Sequence, residues 1–396
     1  MKMKKTIKRI LCTAACGLAV RASCLTVVPT LDGSITNDPN GVAMTAAINA
    51  AIQVLQANIA DNFTVYIHFT NDLSVGLGQS STWGGSYLYS DYLAALTTTA
   101  ADANDTNALS QLPNGPTDPL IGGTNVHLTL ALARHLGLDT GEGPDGFDST
   151  ISLNTSLMNF SRPPGNPNNY DMQGTVAHEI DEVLGTSSGL PKTNIVWAMD
   201  LFRYTTNLVR TFTTNGDNAY FSVDGTNLWA RFNTDPGGDY ADWWSVAGFW
   251  APPGITPHPQ VQDAFGNPGT VEDLGPNELA MLDAVGWTLT SPVPVAAPKL
   301  WIVNNGAGQI TILWPDSFGG YGLQESTNLA AGSWVASASG TANPAVITIT
   351  GSQKFYRLYN SSPVVVPEIA REIVPVQSKR TSPLQLVTRA YLPGRH

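Results

Sequence analysis

Cysteine is nearly absent from this chain of 396 residues, and its three cysteines, Cys12, Cys16 and Cys24, all fall at the very start. A disulfide framework and a cysteine-ligated zinc site are therefore excluded downstream, and Cys24 reads as an incidental thiol rather than a lipidation site, since Arg21 is a poor residue three positions before it. Long apolar runs are missing as well. The early run from Ile10 to Val20 is shorter than the roughly 20 residues a membrane helix needs, and no later stretch approaches that length, so no membrane span is expected. Cations are scarce, with 20 Lys and Arg against 31 Asp and Glu. Taking the six cations of the first 22 residues and the net +3 of the segment from Pro363 on out of the total of −11 leaves −20 for residues 23–362. A surface so acidic repels phosphate backbones and anionic lipid, which argues against nucleic acid and membrane partners.

The start is basic, then apolar, then Val20-Arg21-Ala22, the order of a secretory signal peptide cleaved after residue 22. Export to the periplasm or the medium is the expected localisation. From Val42 to Ala60, Met44, Ile48, Ile52, Leu55 and Ile59 recur at helical spacing behind Asp38 and Asn40, which are suited to cap a helix. Phe63–Phe69 alternates as a strand. A Gly/Ser-rich stretch, Gly76–Gly85, leads into a helical segment over Tyr87–Thr99, and Val126–Leu136 is apolar enough for a helix or a strand. Asp148–Asn154 reads as a strand, followed by a Pro/Asn-rich loop at Arg162–Asn169. Beyond Gly185 come short strand-like pieces at Ala219–Val223 and Leu228–Phe232, then helical spacing over Asn277–Val285. The Pro-rich Ser291–Pro298 is a stiff linker. Residues 299–362 hold β-rich runs broken by Gly, Asn and Ser, the pattern of a small all-β sandwich. Residues 363–396 show no clear period and read as a disordered tail. The chain thus divides into a leader at 1–22, a main domain at 23–290, the linker at 291–298, the β module and the tail.

The chemistry concentrates in His178-Glu179-Ile180-Asp181-Glu182. Residues 178 and 182 are one helical turn apart, about 5–6 Å at Cβ, so His178 and Glu182 project from one face and can grip one cation. In the pattern His-Glu-x-x-His the glutamate is the base that takes a proton from a water the zinc has acidified to a pKa of about 7. Here Glu182 replaces the second histidine. An anionic oxygen still binds zinc, but it donates more negative charge and makes that water less acidic. Val176, Ile180, Val183 and Leu184 form the apolar face, and Gly185 stops the helix. The competing reading is a surface helix with Glu179, Asp181 and Glu182 merely solvated.

The string Thr175–Gly185 resembles exported bacterial metalloproteases of the zincin class, in particular a group with the motif His-Glu-Ile-Ser/Asp-Glu-Val-Leu/Met-Gly. Asp200–Tyr204, Ala219–Asp224, Phe232–Trp243 and Leu282–Trp287 carry the same resemblance, which extends over roughly Leu25 to Thr290. It implies an α+β, metzincin-like catalytic domain with a twisted sheet, an active-site helix and a lower subdomain closing the cleft. Zn2+ is the implied cofactor, and a protein or peptide the implied substrate. Metzincins place a third ligand three residues after the glycine, and here that is Ser188, a poor zinc ligand. His258 is the only histidine between the motif and His396, which falls in the tail, and is the expected third ligand; Asp200 is the alternative, followed by the acids Asp239 and Asp242. Each also has a structural reading as a loop histidine, a cap or a turn aspartate.

The aromatic residues Trp229, Trp243, Trp244, Phe249 and Trp250 suit a substrate cleft or a carbohydrate platform, though such clusters more often form a core. Leu323–Leu329, Trp334 and Phe355–Leu358 resemble β-sandwich modules of secreted bacterial proteins, whose usual role is adhesion or spacing. Two functions are therefore expected to compete. One is a secreted zinc endopeptidase using Glu179. The other is a catalytically inactive zincin-fold protein that contacts a surface or glycan through 299–362.

Overall fold

The computed structural model describes residues 25–393 apart from 206, 208, 215–218, 246–259, 291–300, 307, 314–320, 341–344, 351–352 and 361–379. The leader, the linker, His258, Phe249, Trp250 and His396 lie outside the described residues. The fold is mixed α/β with several sheets.

A seven-stranded sheet is its base. Thr64–Asn71 alternates as its sequence predicts, with Val65, Ile67 and Phe69 buried. Each such side chain withdrawn from water contributes about 1.5–3 kcal/mol. This strand lies parallel to Thr26–Leu31 on one side and Ser149–Leu153 on the other. Gly78–Leu88 runs antiparallel to Ser149–Leu153 through residues 78–82 and to Asn125–Thr129 through 84–88. The Gly/Ser-rich stretch is therefore a strand at the hub of the sheet. Val126–Leu136 divides: Asn125–Thr129 is a strand, and the Thr129 hydroxyl caps the helix Leu130–His135 by accepting from the Leu132 N–H. Both readings of that segment hold, each for half of it.

The helix Gly41–Asn58 starts at Asn40, and its buried Met44, Ile48, Ile52 and Leu55 pack toward the helix Met172–Leu184. That second helix also packs on the strand Gly78–Leu88, so the motif lies between the sheet and the first helix. Pro276–Val285 forms a further helix, which ends at Gly286 in the positive-φ conformation, φ 124°, that glycine tolerates best.

The expected disordered tail requires correction. Gln385–Pro393 is a nine-residue strand of the main sheet, antiparallel to Gly78–Gly84 and parallel to Phe265–Gly266. Its buried positions are Arg389 and Tyr391, an alternation of two that a purely apolar pattern search passes over. The main sheet consequently takes a strand from beyond the β-rich segment. Within that segment, two three-stranded antiparallel sheets are described, with Ile312, Leu323 and Ala345 in one small cluster.

Candidate functional site

The helix Met172–Leu184 is buried on nearly every side, and His178, Glu179 and Glu182 are at most 1% exposed. The reading of a solvated surface helix is excluded by that burial. Gly185 terminates the helix with φ 140°, its N–H bonded to the Asp181 carbonyl.

His178 Nε2 lies 3.9 Å from Glu182 Oε1 and 3.8 Å from Asp242 Oδ1. One ligand atom from each of the three falls within 4.8 Å of the others. These gaps are too long for hydrogen bonds. His178 Nδ1 donates to the Val261 carbonyl at 2.8 Å, and because a carbonyl only accepts, the Nε2 lone pair faces the two carboxylates and the Gln262 side-chain amide, whose Nε2 lies 3.4 Å away. Burial pushes the His178 pKa down to about 4, keeping the ring neutral at pH 7.

The carboxylates show the opposite effect. Burial, then the charge of Asp239, raises Glu182 to about 8. Burial raises Asp242 well above the ordinary range, with Asp239 and Glu182 adding to it. Ser80 Oγ donates to Glu182 Oε2 at 2.5 Å, and Gln262 Nε2 donates to Asp242 Oδ1 at 2.8 Å. Glu182 Oε1 and Asp242 Oδ2 have no hydrogen-bond partner. Glu179, fully buried, has no well-formed hydrogen bond at either oxygen, although the Glu182 carboxyl and the Ser80 N–H bear on it, and its pKa is driven far up, first by burial and then by Glu182.

Buried carboxylate oxygens without partners cost about 1–3 kcal/mol each, more when charged, so four of them around the His178 imidazole need compensation. A divalent cation would supply it. One imidazole nitrogen with two carboxylate oxygens is a donor set of the kind zinc accepts, leaving a further coordination position open, and the residues present fit the metal on these grounds.

Glu179 reaches this place because residue 78 is glycine. A Cβ there would stand 2.3 Å from Glu179 Oε1. Asp242 and Gln262 are braced from behind, since Glu278 Oε1 accepts from Trp243 Nε1 at 3.0 Å and from the Gln262 N–H at 3.2 Å. The C-terminal strand closes the front. The Tyr391 ring stacks on His178 with centroids 4.1 Å apart, and its hydroxyl donates to Glu272 Oε2 at 2.8 Å. Arg389 Nη1 donates to both oxygens of Asp239, at 2.9 and 2.8 Å, and its Nη2 donates to the Ser188 carbonyl. A cleft of about 500 Å3 opens beside that pair, lined by Trp197, Lys192, Tyr240 and Val387 among others, but none of His178, Glu179, Glu182 and Asp242 lines it.

Of the expected site residues, His178, Glu179 and Glu182 come together, joined by Asp242. Asp200 does not serve as the third ligand. It accepts from Ser188 Oγ at 2.5 Å and from the Gly189 and Trp197 N–H groups at 2.8 and 2.9 Å, so both its oxygens are engaged in ordering the loop after the motif helix. Asp239 is held by Arg389. His258 lies outside the described residues. Trp229 and Trp243 are buried among Phe221 and Phe232, the core reading of the aromatic cluster, while Trp244 stacks against the Arg231 guanidinium.

Gln262, Ser80, Glu278, Arg389 and Tyr391 were not anticipated. Ser80 and Gly78 sit in the stretch that composition marks as Gly/Ser-rich, and Arg389 and Tyr391 have the alternation of a strand. Gln262 and Glu278 carry no sequence signal of their own. Compared with protein-family models, curated proteins and solved structures, the chain shows no match.

Proposed function

We propose that the chain is a zinc-dependent endopeptidase of zincin-like architecture, with His178, Glu182 and Asp242 as metal ligands and Glu179 as general base. The observation that supports this best is the convergence of His178, Glu182 and Asp242 beside Glu179, all buried, with four of their carboxylate oxygens outside any well-formed hydrogen bond. Zinc held there would polarise a scissile carbonyl and make water acidic enough to lose a proton near neutral pH. Glu179, beside that position, would take that proton and pass it to the leaving amine. Val261 fixes the His178 ring and Ser80 orients Glu182, so neither ligand has to reorganise when the cation binds.

The sheet supports a peptide as the substrate class. Gly78–Gly84 pairs with an extended segment, Gln385–Tyr391, directly over His178. An edge that accepts one extended strand over the base and the ligands suits an extended peptide. With the site closed, substrate enters only when the C-terminal strand moves aside. That closure is also the one observation favouring the rival reading, a catalytically inactive protein whose contacts are made elsewhere, for instance to a glycan or surface through the β-rich segment. Export to the periplasm or the medium belongs to either reading.

Elemental analysis of the purified full chain, paired with hydrolysis of a quenched peptide library, separates them. The expected result is about one zinc per chain, lost in His178→Ala, and hydrolysis abolished in Glu179→Gln with zinc retained. Zinc-free wild type, or unchanged hydrolysis in Glu179→Gln, overturns the peptidase reading.

A further inference from the structure

A second acidic cluster shares no residue with the first. Asp102, Asp105 and Asp283 each bring a carboxylate oxygen within 4.8 Å of the others. Asp102 is the N-cap of the helix Ala103–Gln111, its Oδ1 accepting from the Asn104 and Asp105 N–H groups at 2.7 and 3.3 Å. Asp105 Oδ2 reaches back to the Ala101 and Asp102 N–H groups at 2.6 and 3.0 Å. One oxygen of each acid stays outside these capping bonds.

Asp283 is the anomaly. It belongs to the last turn of Pro276–Val285, where an anion meets the negative end of the helix dipole. It is 1% exposed, and no well-formed hydrogen bond reaches either oxygen, the Asn104 side chain being the one donor that bears on it. The charges that bear on it, Asp105, Asp102 and Asp61, are all negative. Three carboxylates converge with one of them fully buried, and their all-oxygen donor set suits a hard cation rather than a softer metal that prefers nitrogen or sulfur. Asp102 is only partly buried, which leaves room for water to complete a coordination shell.

We propose that Asp102, Asp105 and Asp283 form a calcium site that ties the helix Ala103–Gln111 to the helix Pro276–Val285. Calcium is chosen over magnesium because it takes 6–8 oxygens in flexible geometry, whereas magnesium demands a near-ideal octahedron that two helix ends do not prearrange. The consequence reaches the first site. Pro276–Val285 carries Glu278, the brace of Trp243 and Gln262, so the ion would hold in place the element that supports Asp242.

The experiment is calcium titration of the full chain, stripped with chelator and then saturated with zinc, followed by calorimetry and thermal melting. About one calcium bound per chain and a raised melting temperature are expected in the wild type and in His178→Ala. Asp283→Asn should lose both the binding and the shift. Should Asp283→Asn fail to fold, Asp102→Asn serves, because asparagine also caps a helix; its calcium affinity should fall at least about tenfold. Absence of calcium binding in the wild type, or wild-type affinity in the folded variants, overturns the site. Because His178→Ala keeps the calcium response, a failure of the zinc reading remains distinguishable from a failure of this one.

Discussion

At the residue scale, the position of Glu179 depends on a side chain that is absent. A Cβ on Gly78 would overlap the Glu179 carboxyl at 2.3 Å, and the strand cannot shift freely because Ser80, two residues on, holds Glu182. Gly78→Ala should therefore displace Glu179 while sparing His178, Glu182 and Asp242. Displacements of about 1 Å at such a group cost on the order of 10²-fold in rate. The expected outcome is a loss of that size in kcat/KM with zinc content unchanged; activity equal to wild type would mean that Glu179 does not act from this position. Glu272 allows a second test, on stability. Burial raises its pKa to about 8, so the folded state binds a proton that the unfolded chain, with a pKa near 4.5, has already released. A raised pKa contributes stability that is complete below pH 4.5 and is lost as pH rises through about 8. Urea unfolding of the wild type should consequently lose a few kcal/mol relative to Glu272→Gln between pH 5 and pH 8, at about 1.4 kcal/mol per unit. A constant difference across that range would show that Glu272 is ionised in the folded protein.

At the element scale, the C-terminal strand both completes and closes the site. Stopping the chain after residue 379 removes the Tyr391 ring from His178 and the Arg389 cation from Asp239. Loss of a buried aromatic side chain costs about 3–5 kcal/mol, so the truncated chain should melt well below the wild type. If the edge of Gly78–Gly84 is where peptides bind, the same truncation should raise kcat/KM for a short peptide, measured at a temperature where the chain is still folded. A fall in both would assign the strand to structure alone. The elements differ in how legible they were. Thr64–Asn71 and Met172–Leu184 follow from periodicity because their buried faces are apolar. Gln385–Pro393 buries an arginine and a tyrosine, whose partners Asp239 and Glu272 are distant in sequence, so no local pattern announces it. Gly78–Leu88 was hidden for a related reason: its small residues serve the close approach of Glu179 and Trp197, and composition alone makes them resemble a linker. His178, Glu179 and Glu182 could be found because one helix turn places them. Asp242 could only be weighed among other acids, since its selection depends on the fold bringing it to His178.

At the scale of the whole molecule, the interior formed by the described residues is short of positive charge. Glu179, Asp181, Glu182, Asp242, Glu278 and Asp283 are all essentially buried, and each has a pKa raised first by burial. Arg389 and Arg203 are the large buried cations near the site, and the first is committed to Asp239 while Asp200 bears on the second. Acids in such an interior must hold protons or share metal ions, so the chain's stability should depend on divalent cations at two independent places. An ion at 100 times its dissociation constant adds about 2.7 kcal/mol, which in a chain of this size is a shift of several degrees. Chelation of the wild type should lower the melting temperature, zinc alone should restore part of it, and calcium alone another part. The two increments should add, because the ligand sets share no residue. His178→Ala should abolish the zinc increment and keep the calcium one, Asp283→Asn the reverse, and the double variant should be indifferent to chelator. A wild type whose melting temperature ignores chelation would mean that protons alone balance these acids, and both metal sites would fall together.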